Sequence, residues 1–115
     1  MSVAIYDVAV KMHELYMAVS DAFDNLNQEF THEVYEMKAR VEFTDRCRDL
    51  IDFADNTQPN NVVTRYLFQL ESNLNEIKDE RGPLASLSEL KESVYRQLPF
   101  IIDMFLTGLL EDQSS

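Results

Sequence analysis

Apolar side chains recur along the first quarter of the chain in alternating steps of three and four: Ile5, Val8, Met12, Leu15, Val19, Ala22 and Leu26, with Ala9, Tyr16 and Phe23 beside them. Such steps keep residues on one face of a 3.6-residue helix. The pattern predicts a helix over about Val3 to Asn27, with Asp7, Glu14 and Asp21 recurring on the opposite face. Phe30, Val34, Met37, Val41, Cys47, Ile51 and Ala54 continue the period, and neither Gly nor Pro occurs between Met1 and Gln58. Residues 3–55 therefore read as one very long helix or as two. Two is the expectation, because a single domain must fold its stripe back on itself to bury it. The bend falls around Asn25 to Thr31, where asparagines weaken helix propensity and Thr31 is a candidate N-cap. Phe43-Thr44-Asp45 is a second weak point.

Asp55 to Asn61 concentrates Asp, Asn and Pro and reads as a loop. Val63, Tyr66, Leu67, Leu70, Leu74 and Ile77 then mark a further helix. Lys78 and Arg81 suit the negative end of its dipole, Gly82 is a C-terminal cap, and Pro83 stops the helix. Ser86-Leu87-Ser88-Glu89 fits a capping box, with Ala85 and Leu90 as a hydrophobic staple. The helix it opens carries Leu90, Val94, Tyr95 and Leu98. Pro99 removes a backbone donor and crowds the preceding turn, so a kink or a restart is expected there. Pro99 to Leu110 forms the last segment, and a disordered tail is expected over about 111–115. The expected fold is an all-α, single-domain antiparallel bundle of four to five helices spanning residues 1–115.

A chain of 115 residues with 45% apolar content can bury an ordinary core without staples. The one cysteine, Cys47, cannot form an internal disulfide. Met1-Ser2-Val3-Ala4 opens no signal peptide, and Phe100 to Leu110, interrupted by Asp103 and Thr107, falls short of the ~20 residues of a spanning helix. A cytoplasmic protein without membrane attachment is the expectation.

Net charge changes the picture more. It is −11, from 21 acids against 10 bases. Between Met1 and Met37 the acids Asp7, Glu14, Asp21, Asp24, Glu29, Glu33 and Glu36 face one base, Lys11. Such a field repels nucleic acid and anionic membrane and attracts basic partners.

No motif carries catalysis or a cofactor. Glu29, His32 and Glu36 share a helical face, with Glu33 beside them, but a di-iron bundle needs the Glu-x-x-His pair twice. His13 has Val10 three residues before it, so the second pair is missing and no metal site is expected. Cys47 lies between Arg46 and Arg48, which could lower its pKa. It also falls on the apolar stripe, and a small core residue is the simpler reading. Asp103 lines up with Arg96 and Thr107 as the solvent stripe of an otherwise apolar helix.

A non-enzymatic binding protein of inhibitor or immunity type is the leading expectation. Its contact set is Asp21, Glu29, Glu33, Tyr35 and Glu36, with the acids steering a basic protein partner and the tyrosine anchoring it. The alternative is a homodimeric scaffold or secretion-chaperone-like protein that uses Phe100, Ile101, Met104, Phe105 and Leu109 of the last helix. A metal-dependent enzyme centred on Glu29, His32 and Glu36 ranks third.

Overall fold

A computed structural model of the chain describes residues 4–29, 33–79 and 87–114. Within these ranges it describes all side chains except those at 28–29, 33–36, 77–79 and 113–114. Helix α1 spans Ile5–Glu29, α2 Glu33–Thr57 and α3 Val62–Asp79. A fourth rod runs from α4 (Leu87–Glu92) through a π-helical segment (Ser93–Gln97) into α5 (Leu98–Ser114). No strand occurs among the described residues.

The predicted stripes explain the arrangement. Each rod has one apolar face and finds two neighbours: α1 packs on α2 and α5, α2 on α1 and α3, and α3 on α2 and the fourth rod. The result is an all-α bundle 50 × 25 × 20 Å in extent. Its core holds Met12, Val19, Phe23 and Leu26 from α1, with Phe43, Cys47 and Leu50 from α2. Leu67 and Leu70 come from α3, and Leu90, Val94 and Leu98 from the fourth rod. Phe23 is its centre. The ring meets Phe43 at 5.8 Å and Tyr95 at 5.6 Å between centroids, edge to face in both cases. Such pairs add about 0.5–1.5 kcal/mol each beyond area burial.

Helix α1 ends at Glu29 and α2 opens at Glu33, so Asn25 and Asn27 lie within α1, and Thr31 lies outside the described residues. Some local readings change. The second weak point at Phe43-Thr44-Asp45 does not interrupt α2, because Phe43 is fully buried on the helix and locks that turn into the core. Met37 and Val41, read as part of the buried stripe, are exposed. Ala39 and Arg40 take the inward position instead, and Arg40 Nη1 donates to the Leu74 carbonyl at 3.1 Å. Next to Pro99, where a kink or a restart was expected, the fourth rod widens into the π segment Ser93–Gln97 and α5 begins at Leu98. Helix α5 runs to Ser114. The capping box at Ser86, the staple at Ala85, and the cap at Gly82 with Pro83 lie outside the described residues.

The loop read from Asp55 to Asn61 is shorter than expected, because α2 extends to Thr57. Asn60 adopts φ 56°, a left-handed conformation that asparagine tolerates, and its N–H donates to Asp55 Oδ1 at 2.9 Å. Asn61 caps α3: its Oδ1 accepts the Thr64 N–H at 3.0 Å, and its amide donates to Gln58 O and Thr64 Oγ1.

Replacing Phe23 by Ala removes both aromatic contacts and leaves a cavity between three helices. The expected cost is about 3–5 kcal/mol, read as a lowered urea midpoint. A loss below about 1 kcal/mol would show that the core does not centre on this ring.

Candidate functional site

The residues singled out from sequence are spread over the bundle. Asp21 is exposed on α1. Glu29 ends α1 and Glu33 opens α2, with Tyr35 and Glu36 in the next turn, so the backbone brings these four to one end of the α1–α2 pair. Their side chains, and His32, lie outside what the structure describes, and so does the Glu29–His32–Glu36 group. Among the described residues no group of three or more His, Cys, Asp or Glu side chains is arranged to hold a metal ion. On α5, Phe105 and Leu109 face the core, Ile101 is half-buried, and Phe100 and Met104 point outward. Arg96, Asp103 and Thr107 are all exposed.

Cys47 is fully buried, and its thiol is pushed up to about 12, chiefly by burial and further by Glu71, against the pull of Arg48. A thiol held protonated is no nucleophile. Its neighbour Glu71 is mostly buried and binds Arg48 Nη2 through Oε2 at 3.0 Å, while Arg48 also lies 5.1 Å over the Phe68 ring. Burial raises the Glu71 pKa and Arg48 opposes the rise. These contacts tie α2 to α3.

A concave feature lies elsewhere, between α1 and α5. It is a groove of about 380 Å³ lined by Ala9, His13, Tyr16, Pro99, Ile102, Asp103 and Leu106. Pro99 determines its geometry. In a regular α-helix the proline ring would clash with the carbonyl of Tyr95 and supply no donor to it. The π segment relieves this by shifting the hydrogen-bond register: Leu98 N–H reaches back to Ser93 O. The Val94 carbonyl then loses its ordinary donor to Ser93, and Pro99, the next residue along, has no N–H to offer. Tyr16 fills the vacancy from α1, its hydroxyl donating to Val94 O at 2.8 Å. Burial raises the Tyr16 pKa, and Asp24 raises it further, so the phenol remains a donor.

Around α1, successive residues turn about 100°. Ala9, His13 and Tyr16 face the groove. The next face outward carries Tyr6, Val10 and Met17, which are 78%, 40% and 43% exposed. Beyond them comes the exposed row Asp7, Glu14 and Asp21. An apolar groove, an apolar shoulder and an acidic margin therefore lie side by side. On the other wall α5 presents Asp103 and contains no Lys or Arg. Sequence reasoning missed this site. Tyr6, Val10 and Met17 do recur at helical spacing, but the stronger core stripe hides them, and Tyr16 and Pro99 are 83 residues apart in a chain whose helix order was unknown.

No family model matches the chain, and neither does any curated protein sequence or solved structure. No helix among the described residues is long and apolar enough to cross a membrane.

Removing the Tyr16 hydroxyl by Tyr16→Phe strands the Val94 carbonyl and is expected to cost about 1–2 kcal/mol. In a Pro99→Ala background a backbone N–H returns at residue 99. Either the π register supplies it to Val94, or the α register frees Leu98 N–H for the same carbonyl. The cost of Tyr16→Phe should then fall below about 0.5 kcal/mol. Equal costs in both backgrounds, measured by urea unfolding, would refute the link between the proline and the tyrosine.

Proposed function

We propose that this chain is a non-enzymatic, acidic protein-binding module of inhibitor or immunity type that docks on a basic protein partner. The observation that carries the reading is on α1. The row Asp7, Glu14 and Asp21 is exposed directly beside the exposed Tyr6, Val10 and Met17. Carboxylates alone serve solubility, and scattered apolar residues alone are ordinary on any surface. An exposed apolar stripe of three turns with a charged margin suits a contact surface, in which the apolar part supplies affinity and the charges supply steering. The backbone of Glu29, Glu33, Tyr35 and Glu36 lies at the same end of the α1–α2 pair, and we assign these residues to the same contact. In this reading Asp21, Glu29, Glu33 and Glu36 guide encounter and Tyr35 anchors it. No catalytic residue is assigned.

A partner captured from the source cell at low salt is expected to associate more slowly as ionic strength rises. Changing Asp21, Glu29, Glu33 and Glu36 together to their amides should slow association about tenfold or more and change dissociation much less. Stopped-flow association rates across a salt series make the measurement, and a rate indifferent to salt refutes the reading.

One observation favours a second reading, a homodimeric scaffold or secretion-chaperone-like protein. Phe100 and Met104, one turn apart on the outward face of α5, are 61% and 48% exposed. This reading expects a dimer in sedimentation at high micromolar concentration, dissolved by Phe100→Ser with Met104→Ser. A monomer at that concentration removes it.

A further inference from the structure

The walls of the α1–α5 groove are two helices, whose backbone hydrogen bonds are made internally. Val94 O, a carbonyl released by the π segment, is already taken by Tyr16. Besides the side chains of His13 and Asp103, the groove offers an incoming chain apolar surface and no ladder of backbone donors and acceptors. An extended peptide lying there would bury its own N–H and C=O groups unpaired, whereas a helix arrives with its backbone already satisfied. Charge narrows the choice further. α1 contributes Asp7, Glu14, Asp21 and Asp24 to the described surface, and α5 contributes Asp103 with no base at all. The single base of α1, Lys11, lies about 160° around the helix from His13, on the far side from the groove. A second copy of this chain would bring another −11 charges to a negative margin. An anionic membrane would be repelled in the same way.

We propose that this groove seats a basic amphipathic helix of a partner protein. The inference rests on the binding-module reading and specifies where that module binds and what it binds. Apolar side chains of the incoming helix at i, i+3, i+4 and i+7 sit in the groove and against Tyr6, Val10 and Met17. Lysines or arginines on its flanks face Asp103 on one side and the Asp7–Glu14–Asp21 row on the other. Tyr6 to Met17 covers about 16 Å of helix axis, so the partner segment is about three turns long.

The probes are three synthetic peptides titrated into the full-length protein labelled with ¹⁵N. One is an amphipathic helix with leucines at those four spacings and lysines elsewhere. The second replaces the lysines with glutamates, and the third places a proline at the centre of the first. The lysine peptide is expected to shift the amide resonances of Ala9, His13 and Leu106. The glutamate and proline peptides should bind at least about tenfold more weakly. Asp103→Lys, an exposed change that leaves the fold intact by circular dichroism, should weaken the lysine peptide about threefold or more, and Ala9→Gln should block the groove sterically. Equal affinity of the glutamate peptide, or shifts confined to residues outside the groove, would overturn the proposal. Such a result alongside a natural partner whose association still slows with salt would sink the groove and leave the binding-module reading standing. A natural partner indifferent to salt would sink that reading itself.

Discussion

A proline in the interior of the last rod imposes the constraint on which the candidate site depends. Pro99 can neither donate a hydrogen bond nor tolerate the carbonyl one turn before it in a regular helix. Ending the helix would expose Ile102, Phe105 and Leu109, which belong to the core. Widening one turn into a π segment keeps those residues buried and leaves the Val94 carbonyl without a backbone donor. Tyr16 then repairs the defect from the neighbouring helix. A hydrogen bond between α1 and the fourth rod fixes their relative position at that level, and the groove opens immediately beyond it. The ring of Pro99 lines the groove as the hydroxyl of Tyr16 closes it off from the released backbone.

Folding alone does not account for where the charges stand. The C-terminal end of a helix dipole prefers cations, by about 0.3–1 kcal/mol for each well-placed charge. Yet the last turns of α1, α2 and α5 contain no base, and α1 ends on Glu29. A chain of net charge −11 also repels itself when compact. The few ion pairs that form on the described surface are mostly local, such as Arg96 with Glu92 and Arg46 with Glu42 and Asp49. Exposed pairs of this kind contribute little to stability. The long-range bridge of Arg48 to Glu71 joins α2 to α3 and involves none of the acids of α1. Asp7 stands in the first turn of α1, where the dipole favours an acid, but Glu14 and Asp21 stand beyond its reach, which is consistent with their serving a contact outside the molecule.

The all-α class and three of the four rods were legible because a core stripe at 3.6 periodicity leaves little choice once breakers are absent. Val8, Met12, Val19, Ala22 and Leu26 were read as buried and are buried. The stripe of α2 was misplaced at its start because periodicity weighs every apolar residue alike. Met37 and Val41 looked like core, whereas the inward position belongs to Ala39 and to Arg40, whose head reaches a carbonyl of α3. No one-dimensional pattern announces an arginine lying inward. The effect of Pro99 was legible as a disturbance but not in kind, since the alternative to a break required a donor from Tyr16, and only the packed bundle brings that hydroxyl to Val94. The groove was illegible for the same reason. Its two walls are the first and last helices, and their adjacency follows from closing a four-rod bundle and not from any local signal.

The closure that hides the site from sequence reasoning also limits what the site can accept. A groove between two helices differs from a sheet edge: it has shape and charge to offer but no ladder of backbone donors and acceptors. The lining of Ala9, Ile102 and Leu106 provides shape, with a small residue on α1 opposite larger ones on α5. Asp103 and the Asp7–Glu14–Asp21 row supply charge of one sign only. With backbone pairing unavailable, specificity must come from the spacing of apolar side chains on the incoming element and from the sign of its flanks. A helix meets both conditions without unpaired backbone, and its 3.6-residue period matches the period along which Tyr6, Val10 and Met17 are themselves displayed.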